Sequence, residues 1–188
     1  MKCSALGLGA LAVVLSAGSV QAQAADSPHT APVKFGIEGG ATIPLSPLSD
    51  GYKTGFNGGV VLDFHVPSIP FGLRLDGMYH QLGSKVDGGP KLKMIGGDLD
   101  AVFSIPTSSA VQPYVLGGVG VYNVKVSGDN TVGGDASQTK FAFNAGAGLR
   151  ADISGFGAFI EGRFLDVLTS GGSVKVIPID IGVMFGKF

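Results

Sequence analysis

Residues 140–150 read Lys-Phe-Ala-Phe-Asn-Ala-Gly-Ala-Gly-Leu-Arg, a stretch in which an apolar residue stands at every odd-numbered position. The even-numbered positions hold charged, amide or glycine residues, with one alanine among them. Successive side chains of a β-strand point to opposite faces of the sheet, so a period of two predicts a strand with one apolar and one polar face. The stretch therefore favours a sheet protein over a helical one.

The same alternation recurs along the chain. In the segment that starts at Phe71, Leu73 and Leu75 alternate with Arg74 and Asp76. Each such segment is long enough to cross a bilayer at a tilt, which takes about 9–11 residues. We predict eight strands, at about 33–43, 53–66, 71–83, 91–105, 112–126, 138–152, 156–167 and 174–188.

The N-terminus has the features of an export signal. Lys2 supplies a positive charge, residues 5–14 are apolar, and Ala22-Gln23-Ala24 has the small-x-small pattern that signal peptidase cleaves. We predict a signal peptide over residues 1–24 and a single mature domain over residues 25–188. Cys3 is the chain's one cysteine and would leave with the signal, so the mature domain is predicted to contain no disulfide.

Composition favours a membrane protein that crosses with strands. Mean hydropathy is +0.37 and the chain has 32 glycines, yet no stretch after the signal approaches the ~20 apolar residues that a spanning helix needs. Lipid-facing and lumen-facing residues alternate in a transmembrane barrel, which disperses hydrophobicity in this way. With 13 Lys and Arg against 14 Asp and Glu and no basic block, nucleic acid is not an expected partner.

We therefore expect an all-β fold: an eight-stranded antiparallel up-and-down transmembrane β-barrel in the cell outer membrane. The connections after even-numbered strands are compact and those after odd-numbered strands are mostly longer, an arrangement that predicts periplasmic termini and extracellular loops. Aromatic residues cluster near both strand ends and predict two interfacial girdles, with Tyr114 counted in the periplasmic one and Tyr122 in the outer one.

Several segments carry a family resemblance. They are Gly36-Ile37-Glu38-Gly39-Gly40, residues 113–122 (Pro-Tyr-Val-Leu-Gly-Gly-Val-Gly-Val-Tyr), residues 141–148 and the terminal Phe188. With them the mature chain resembles the OmpA/OmpX-like, opacity-type small outer-membrane barrels of Gram-negative bacteria. The resemblance implies a C-terminal assembly signal, here Phe185 and Phe188, read by the outer-membrane assembly machinery. Gly186 departs from the family pattern, which commonly has an aromatic there, and Pro178 predicts a bulge near residues 176–178.

In each strand the charged and polar residues share one face of the sheet, and we predict that this face lines the lumen. An eight-stranded barrel is only wide enough inside for side chains, and buried charges need partners, so the inward charged residues should form a structural ion-pair network. The predicted members are Glu38, Asp63, Arg74, Asp76, Asp98, Asp100, Lys140, Arg150, Glu161, Arg163 and Asp180.

Few groupings of polar residues suggest a catalytic or metal site. His80 with Ser84 and Asp76 is the one grouping that suggests a hydrolase. Asp63 with His65 supplies only two metal ligands, and the pattern around Asp129 and Asp135 is not that of a calcium loop. We expect no catalytic residues, no metal site and no cofactor.

The expected function is non-enzymatic: a structural role in envelope integrity, or surface interaction through short extracellular loops. The expected partners are membrane lipid and lipopolysaccharide, with host or extracellular molecules at the loops, and we expect a monomer. Lys53, Lys85, Lys91 and Lys93 lie near outer strand ends, in reach of lipid phosphates or of water by snorkelling. Three alternatives stay open: a narrow ion or small-solute channel, a lipid A-modifying enzyme, and a soluble lipocalin-like barrel.

Overall fold

The structure is a computed structural model that describes residues 33–65, 71–127, 136–153, 155–169 and 172–186. Eight strands and one short helix account for most of them. The strands are β1 (Val33–Pro44), β2 (Gly55–His65), β3 (Gly72–Leu82), β4 (Lys91–Ser104), β5 (Val111–Ser127), β6 (Ala136–Ile153), β7 (Phe156–Thr169) and β8 (Gly172–Phe185), and the helix is α1 (Leu48–Gly51). The predicted signal peptide and Phe188 lie outside the described residues.

The strands form a closed antiparallel barrel in sequence order, with β8 paired to β1. This is the architecture predicted from the sequence, and the strand limits agree with the predicted ones to within three residues. Among the described residues, no helix is long and apolar enough to cross a membrane.

The registers stagger the strands around the barrel. The paired residues, followed once round the sheet, are Lys34, Asp63, Arg74, Asp100, Gly118, Asn144, Leu165, Val176 and finally Pro44. The path therefore returns to β1 ten residues beyond its start. With a rise of about 3.3 Å per residue and strands about 4.8 Å apart, this stagger tilts the strands by about 40°. An 11-residue strand at that tilt covers about 28 Å, enough for the apolar band of an outer membrane.

The two faces of the wall differ sharply in polarity. Apolar side chains on the outward face are among the most exposed in the protein, including Phe141 at 71%, Ile181 at 66% and Ile95 at 60%. The inward face carries the buried charged and polar side chains. A lipocalin-like barrel would have the apolar face inward, so the observed polarity favours a barrel surrounded by lipid.

Two expectations were wrong in detail. Tyr114 and Tyr122 belong to neither girdle, because both face inward and are each 1% exposed. No bulge occurs at Pro178: β8 pairs with β7 in one register on both sides of it, and the pairs Gly162↔Ile179 and Leu165↔Val176 flank a short interruption. Proline has no backbone N–H to donate, which interrupts the ladder on one side without shifting the strand.

The interior is layered along the barrel axis. We call the end with connections 45–54 and 83–90 the long-loop end, and the end where β1 starts and β8 finishes the short-turn end. An apolar cluster that includes Leu82, Met94 and Val167 fills the long-loop end, and Leu48 and Tyr52 from the first connection pack against it. The charged residues of the predicted network lie below this cluster, so only part of the interior is polar.

The barrel interior as candidate functional site

Arg74 is the first of two arginines that cross the lumen. It projects inward from β3 with no exposed surface. Its Nε donates to Asp63 Oδ1 at 2.7 Å, and its Nη1 donates to Glu161 Oε2 at 2.8 Å. The guanidinium carbon also lies 5.4 Å from the ring centre of Tyr114 and 5.5 Å from that of Phe159. One side chain thus connects β2, β3, β5 and β7.

Arg163, on β7, is the second. Its Nη1 donates to Asp76 Oδ2 at 2.7 Å and to Asp100 Oδ2 at 3.1 Å, and its Nε donates to Glu161 Oε1. Glu161 therefore accepts from both arginines and joins them. A buried charge without partners is unfavourable by several kcal/mol, so the geometry explains why these carboxylates and guanidinium groups occur together.

Neutral groups extend the network to Asp98. Tyr114 Oη donates to Glu161 Oε2 at 2.6 Å, and Tyr122 Oη donates to Asp98. Asn144 Nδ2 donates to Asp98 Oδ1 at 3.1 Å and to Asp100 Oδ1 at 2.7 Å. Tyr114, Tyr122 and Asn144 were not among the predicted members of the network. Their even-numbered positions put them on the inward parity of β5 and β6, which was the signal available.

The short-turn end carries a second, smaller polar group around Arg150. Its Nη2 donates to Gln112 Oε1 at 2.8 Å and to Ser104 Oγ at 3.2 Å, and its Nη1 lies 3.7 Å from Asp63 Oδ2. A pocket of about 110 Å³ opens beside it, lined also by Lys34. The pocket is small compared with the ~300 Å³ or more of ordinary ligand sites.

The structure brings most of the predicted network together. Eight of the eleven residues are linked by the bonds above: Asp63, Arg74, Asp76, Asp98, Asp100, Arg150, Glu161 and Arg163. Glu38 and Asp180 are buried on the same inner surface without a hydrogen bond to either central arginine. Lys140 is half-buried on β6, nearer the long-loop end.

The residues that suggested a hydrolase are not assembled into a triad. His80 Nδ1 is hydrogen-bonded to Thr42 Oγ1 at 2.9 Å, and Asp76 is bound to Arg163. Ser84 lies beyond the end of β3, where its Oγ accepts from the Val86 N–H at 3.1 Å. Each side chain is therefore engaged elsewhere.

A metal site is not formed by the described residues either, since no group of three or more His, Cys, Asp or Glu has suitable geometry. Asp63 is bound to Arg74, and the side chain of His65 is outside the described set. Asp129 and Asp135 also lie outside it. Phe185, the described member of the predicted assembly signal, faces outward with its ring centre 5.5 Å from that of Phe35.

Comparison with known proteins places this geometry in a family. A family model described as "Outer membrane protein beta-barrel domain" matches residues 10–185. The fold is similar to that of Neisserial surface protein A (NspA), with a TM-score of 0.66, 16% identity, and coverage of 82% of this chain and 97% of that one. OprG from Pseudomonas aeruginosa gives a TM-score of 0.54 at 16% identity, covering 84% and 97%. The N-terminal β-barrel domain of P. aeruginosa OprF gives 0.53 at 17% identity, covering 82% and 97%. A comparison with curated proteins found no match.

Proposed function

Since the chain belongs to the outer membrane protein β-barrel domain family, we propose that it is a non-conducting, non-enzymatic outer-membrane protein that acts through its surface. Its role is to stabilise the envelope and to offer a surface for lipopolysaccharide and extracellular molecules. The observation that carries the proposal is the pair of bonded arginines across the lumen: Arg74 and Arg163 meet at Glu161, directly in the path that a solute would take.

Physical reasons support a closed lumen. The charges in the middle of the barrel are bonded to one another across four strands, and the apolar cluster at the long-loop end adds a second barrier that ions would have to cross. Breaking a buried ion pair by removing or displacing a partner has a large energetic cost. We therefore consider a packed, rigid barrel a better account of this interior than the narrow channel.

Conductance in planar lipid bilayers tests this proposal. Purified, folded protein in about 1 M KCl should give no current steps above the baseline of protein-free bilayers. Salt at about this concentration screens surface charge. A porin of known conductance is the positive control for the assay, and the variant Arg74→Ala with Arg163→Ala removes the arginine layer while leaving the apolar cluster in place. Reproducible steps from the wild-type protein would favour the channel instead.

An acyl-release assay separates the enzyme alternative. Wild-type protein incubated with lipid A should release no fatty acid, because His80 and Ser84 are engaged with Thr42 and Val86 rather than with each other. Release that is abolished by His80→Ala would contradict the proposal.

We further propose that the long-loop end is extracellular and that both termini are periplasmic, in a monomer assembled through β8. An epitope inserted in the exposed connection 84–90 should then bind antibody on intact cells, whereas a tag at the C-terminus should bind only after permeabilisation. The reverse labelling would refute the orientation. Light scattering of the purified protein checks the monomer.

A further inference from the structure

The middle of the lumen contains more acids than cations. Among the described residues its fully buried acids are Glu38, Asp76, Asp98, Asp100, Glu161 and Asp180, and its buried arginines are Arg74 and Arg163. Even a positively charged His80 would leave three more negative charges than positive ones if every acid were ionised. An unbalanced charge is very unfavourable in an interior that is shielded from water. Some of these acids must therefore bind a further cation or a proton.

Hydrogen bonding separates two of the six acids from the other four. Three of the four accept from an arginine, and the fourth, Asp98, accepts from neutral tyrosine and asparagine side chains. By contrast, neither oxygen of Glu38 or of Asp180 has a hydrogen-bond partner within the described residues. Both side chains are nevertheless buried, with exposures of 6% and 0%. These two carboxyl groups are therefore the ones whose negative charge is least stabilised by the protein.

Asp180 directly opposes another acid across the sheet. It pairs with Glu161 of β7, and both side chains face inward. The Cβ atoms of such a pair lie about 4.5–5.5 Å apart, and like charges in this arrangement destabilise a sheet. Glu161 accepts hydrogen bonds from both Arg74 and Arg163, which keeps it ionised. A proton on Asp180 would remove the repulsion between the two acids.

Glu38 lies in apolar surroundings. Glycine occupies the four adjacent positions on the inner face, two on β1 and the two that pair with Glu38 from β2 and β8: Gly36, Gly40, Gly59 and Gly182. The side chains of Met78, Phe159 and Met184 fill the room that three of these glycines leave, since a Cβ at those positions would meet them. A carboxyl group that is buried among apolar side chains favours its neutral form.

The charged and titratable groups that face Glu38 and Asp180 from the neighbouring strands have other partners. They are Asp63 on β2, Arg74, Asp76 and His80 on β3, and Glu161 and Arg163 on β7. Arg163 attracts both carboxyls electrostatically, but its hydrogen bonds go to three other acids. On β1 itself, Lys34 lies four residues from Glu38, in the pocket beside Arg150. In the part of the chain that the structure describes, no cation is hydrogen-bonded to Glu38 or Asp180.

We propose that Glu38 and Asp180 are proton-binding sites of the folded barrel. Each carboxyl group carries a proton at neutral pH and releases it to solvent when the barrel unfolds. A proton needs one carboxylate oxygen, whereas a metal ion needs several ligands, and the described residues do not assemble three acidic or histidine ligands. The inference is independent of the proposed function.

Proton binding makes the stability of the barrel depend on pH. Above about pH 5 the carboxyls of the unfolded chain are ionised, so the folded state then holds two protons that the unfolded state has lost. The free energy of unfolding therefore falls as the pH rises. Each retained proton increases the unfolding equilibrium constant by up to about tenfold per pH unit. The barrel is thus stabilised by acid as long as the unfolded chain remains ionised.

Urea unfolding in phospholipid vesicles at a series of pH values tests the proposal. Glu38→Gln and Asp180→Asn replace a protonated acid by a neutral group of similar shape. Each should change the unfolding equilibrium constant at neutral pH by about threefold or less, and should reduce its dependence on pH by up to about tenfold per pH unit. The matched controls Glu161→Gln and Asp76→Asn make the same changes at acids that are bonded to arginine, and each should raise the constant by about a hundredfold or more.

Infrared spectroscopy provides a second measurement that needs no unfolding. At neutral pH the wild-type protein in bilayers should show the carbonyl stretching band of protonated carboxyl groups, and the band should weaken in Glu38→Gln and in Asp180→Asn. A wild-type spectrum without this band would overturn the inference, as would a Glu38→Gln variant that unfolds as readily as Glu161→Gln. Stabilisation of the wild-type protein but not of Glu38→Gln by added calcium would also overturn it, because a metal ion would then balance the charge.

Discussion

At the scale of single residues, Arg163 makes the most demanding set of contacts in the lumen. It is 5% exposed and donates to Asp76, Asp100 and Glu161 from three different strands. Its positive charge is what permits three carboxylates to be buried close together, and Arg74 plays the same part for Asp63. The chemistry of the interior therefore depends on two side chains more than on the number of acids.

We predict that Arg163→Met lowers the free energy of unfolding by about 3–5 kcal/mol, because it leaves buried carboxylates without a cation. Urea unfolding in phospholipid vesicles measures the change. Lys175→Met breaks an exposed pair and should change it by less than about 1 kcal/mol. Equal effects of the two substitutions would mean that the lumen network contributes little to stability.

Glycines on the inward face make room for large neighbours. Gly148 pairs with Tyr114, and a Cβ at Gly148 would meet the tyrosine ring; Gly96 stands in the same relation to Tyr122. The rings lie over the glycines and reach carboxylates further inside. The small residues are thus part of the network, since they let its tyrosines fit.

Gly148→Ala should therefore destabilise the barrel by about 1–3 kcal/mol through overpacking. Gly58→Ala is the control, because Gly58 faces outward and a Cβ there would lie 3.6 Å from the nearest heavy atom outside its own chain neighbours, the Glu38 carbonyl oxygen. The same urea titration compares them. If Gly148→Ala proved harmless, the tyrosine would have to move freely, and its bond to Glu161 would not be a fixed feature.

At the scale of strands, the sequence was sufficient to predict number, order and approximate limits. The alternation of apolar and polar residues is strong wherever one face of a strand contacts lipid and the other carries charged side chains, as in β3 and β6. It could not distinguish the apolar residues that face inward at the long-loop end, such as Leu82 and Met94, because their residue types match those of the lipid-facing side. Helix α1 was also missed, since four residues carry no periodic signal.

The candidate site was predictable to a similar degree and for the same reason. The alternation along each strand assigned the charged residues to one face of the sheet. Which of them are in contact depends on the cross-strand register, and the sequence of a single strand does not predict that register. Asp63, Arg74 and Asp100 lie on successive paired positions of β2, β3 and β4, which makes them neighbours. The prediction of a bulge at Pro178 was wrong, because the missing backbone N–H of a proline need not shift the register of its strand.

Closure of the barrel gives a prediction at this scale. Ile37 on β1 pairs directly with Val183 on β8, so cysteines at these two positions should form a disulfide under mild oxidation, as their Cβ atoms are about 5 Å apart. Ile37→Cys with Ile179→Cys is the control, since Ile179 lies four residues from the paired position, about 13 Å away. Gel mobility without reductant detects the link. Cross-linking of the control pair alone would show that the register is wrong.

At the scale of the whole molecule, the inward and outward faces of the barrel wall contribute differently to the structure. The inward face holds the barrel together by bonded charges, and the outward face is apolar enough to require lipid around it. Fold alone does not assign a function to such a barrel. The bonded charges and the apolar cluster occupy the interior of this barrel, which leaves its loops and its lipid-facing wall as the surfaces available for interaction.

The most direct test of the membrane-spanning barrel is to measure lipid contact at the middle of its outward face. Spin labels at Leu75, Leu99 and Ile160, introduced by cysteine substitution in protein reconstituted into bilayers, report collisions with oxygen in the acyl chains or with a water-soluble nickel complex. We predict that oxygen collisions predominate at all three positions, which are 43%, 48% and 48% exposed. Nickel collisions that predominate at these positions would place the apolar face in water and contradict the membrane-spanning barrel.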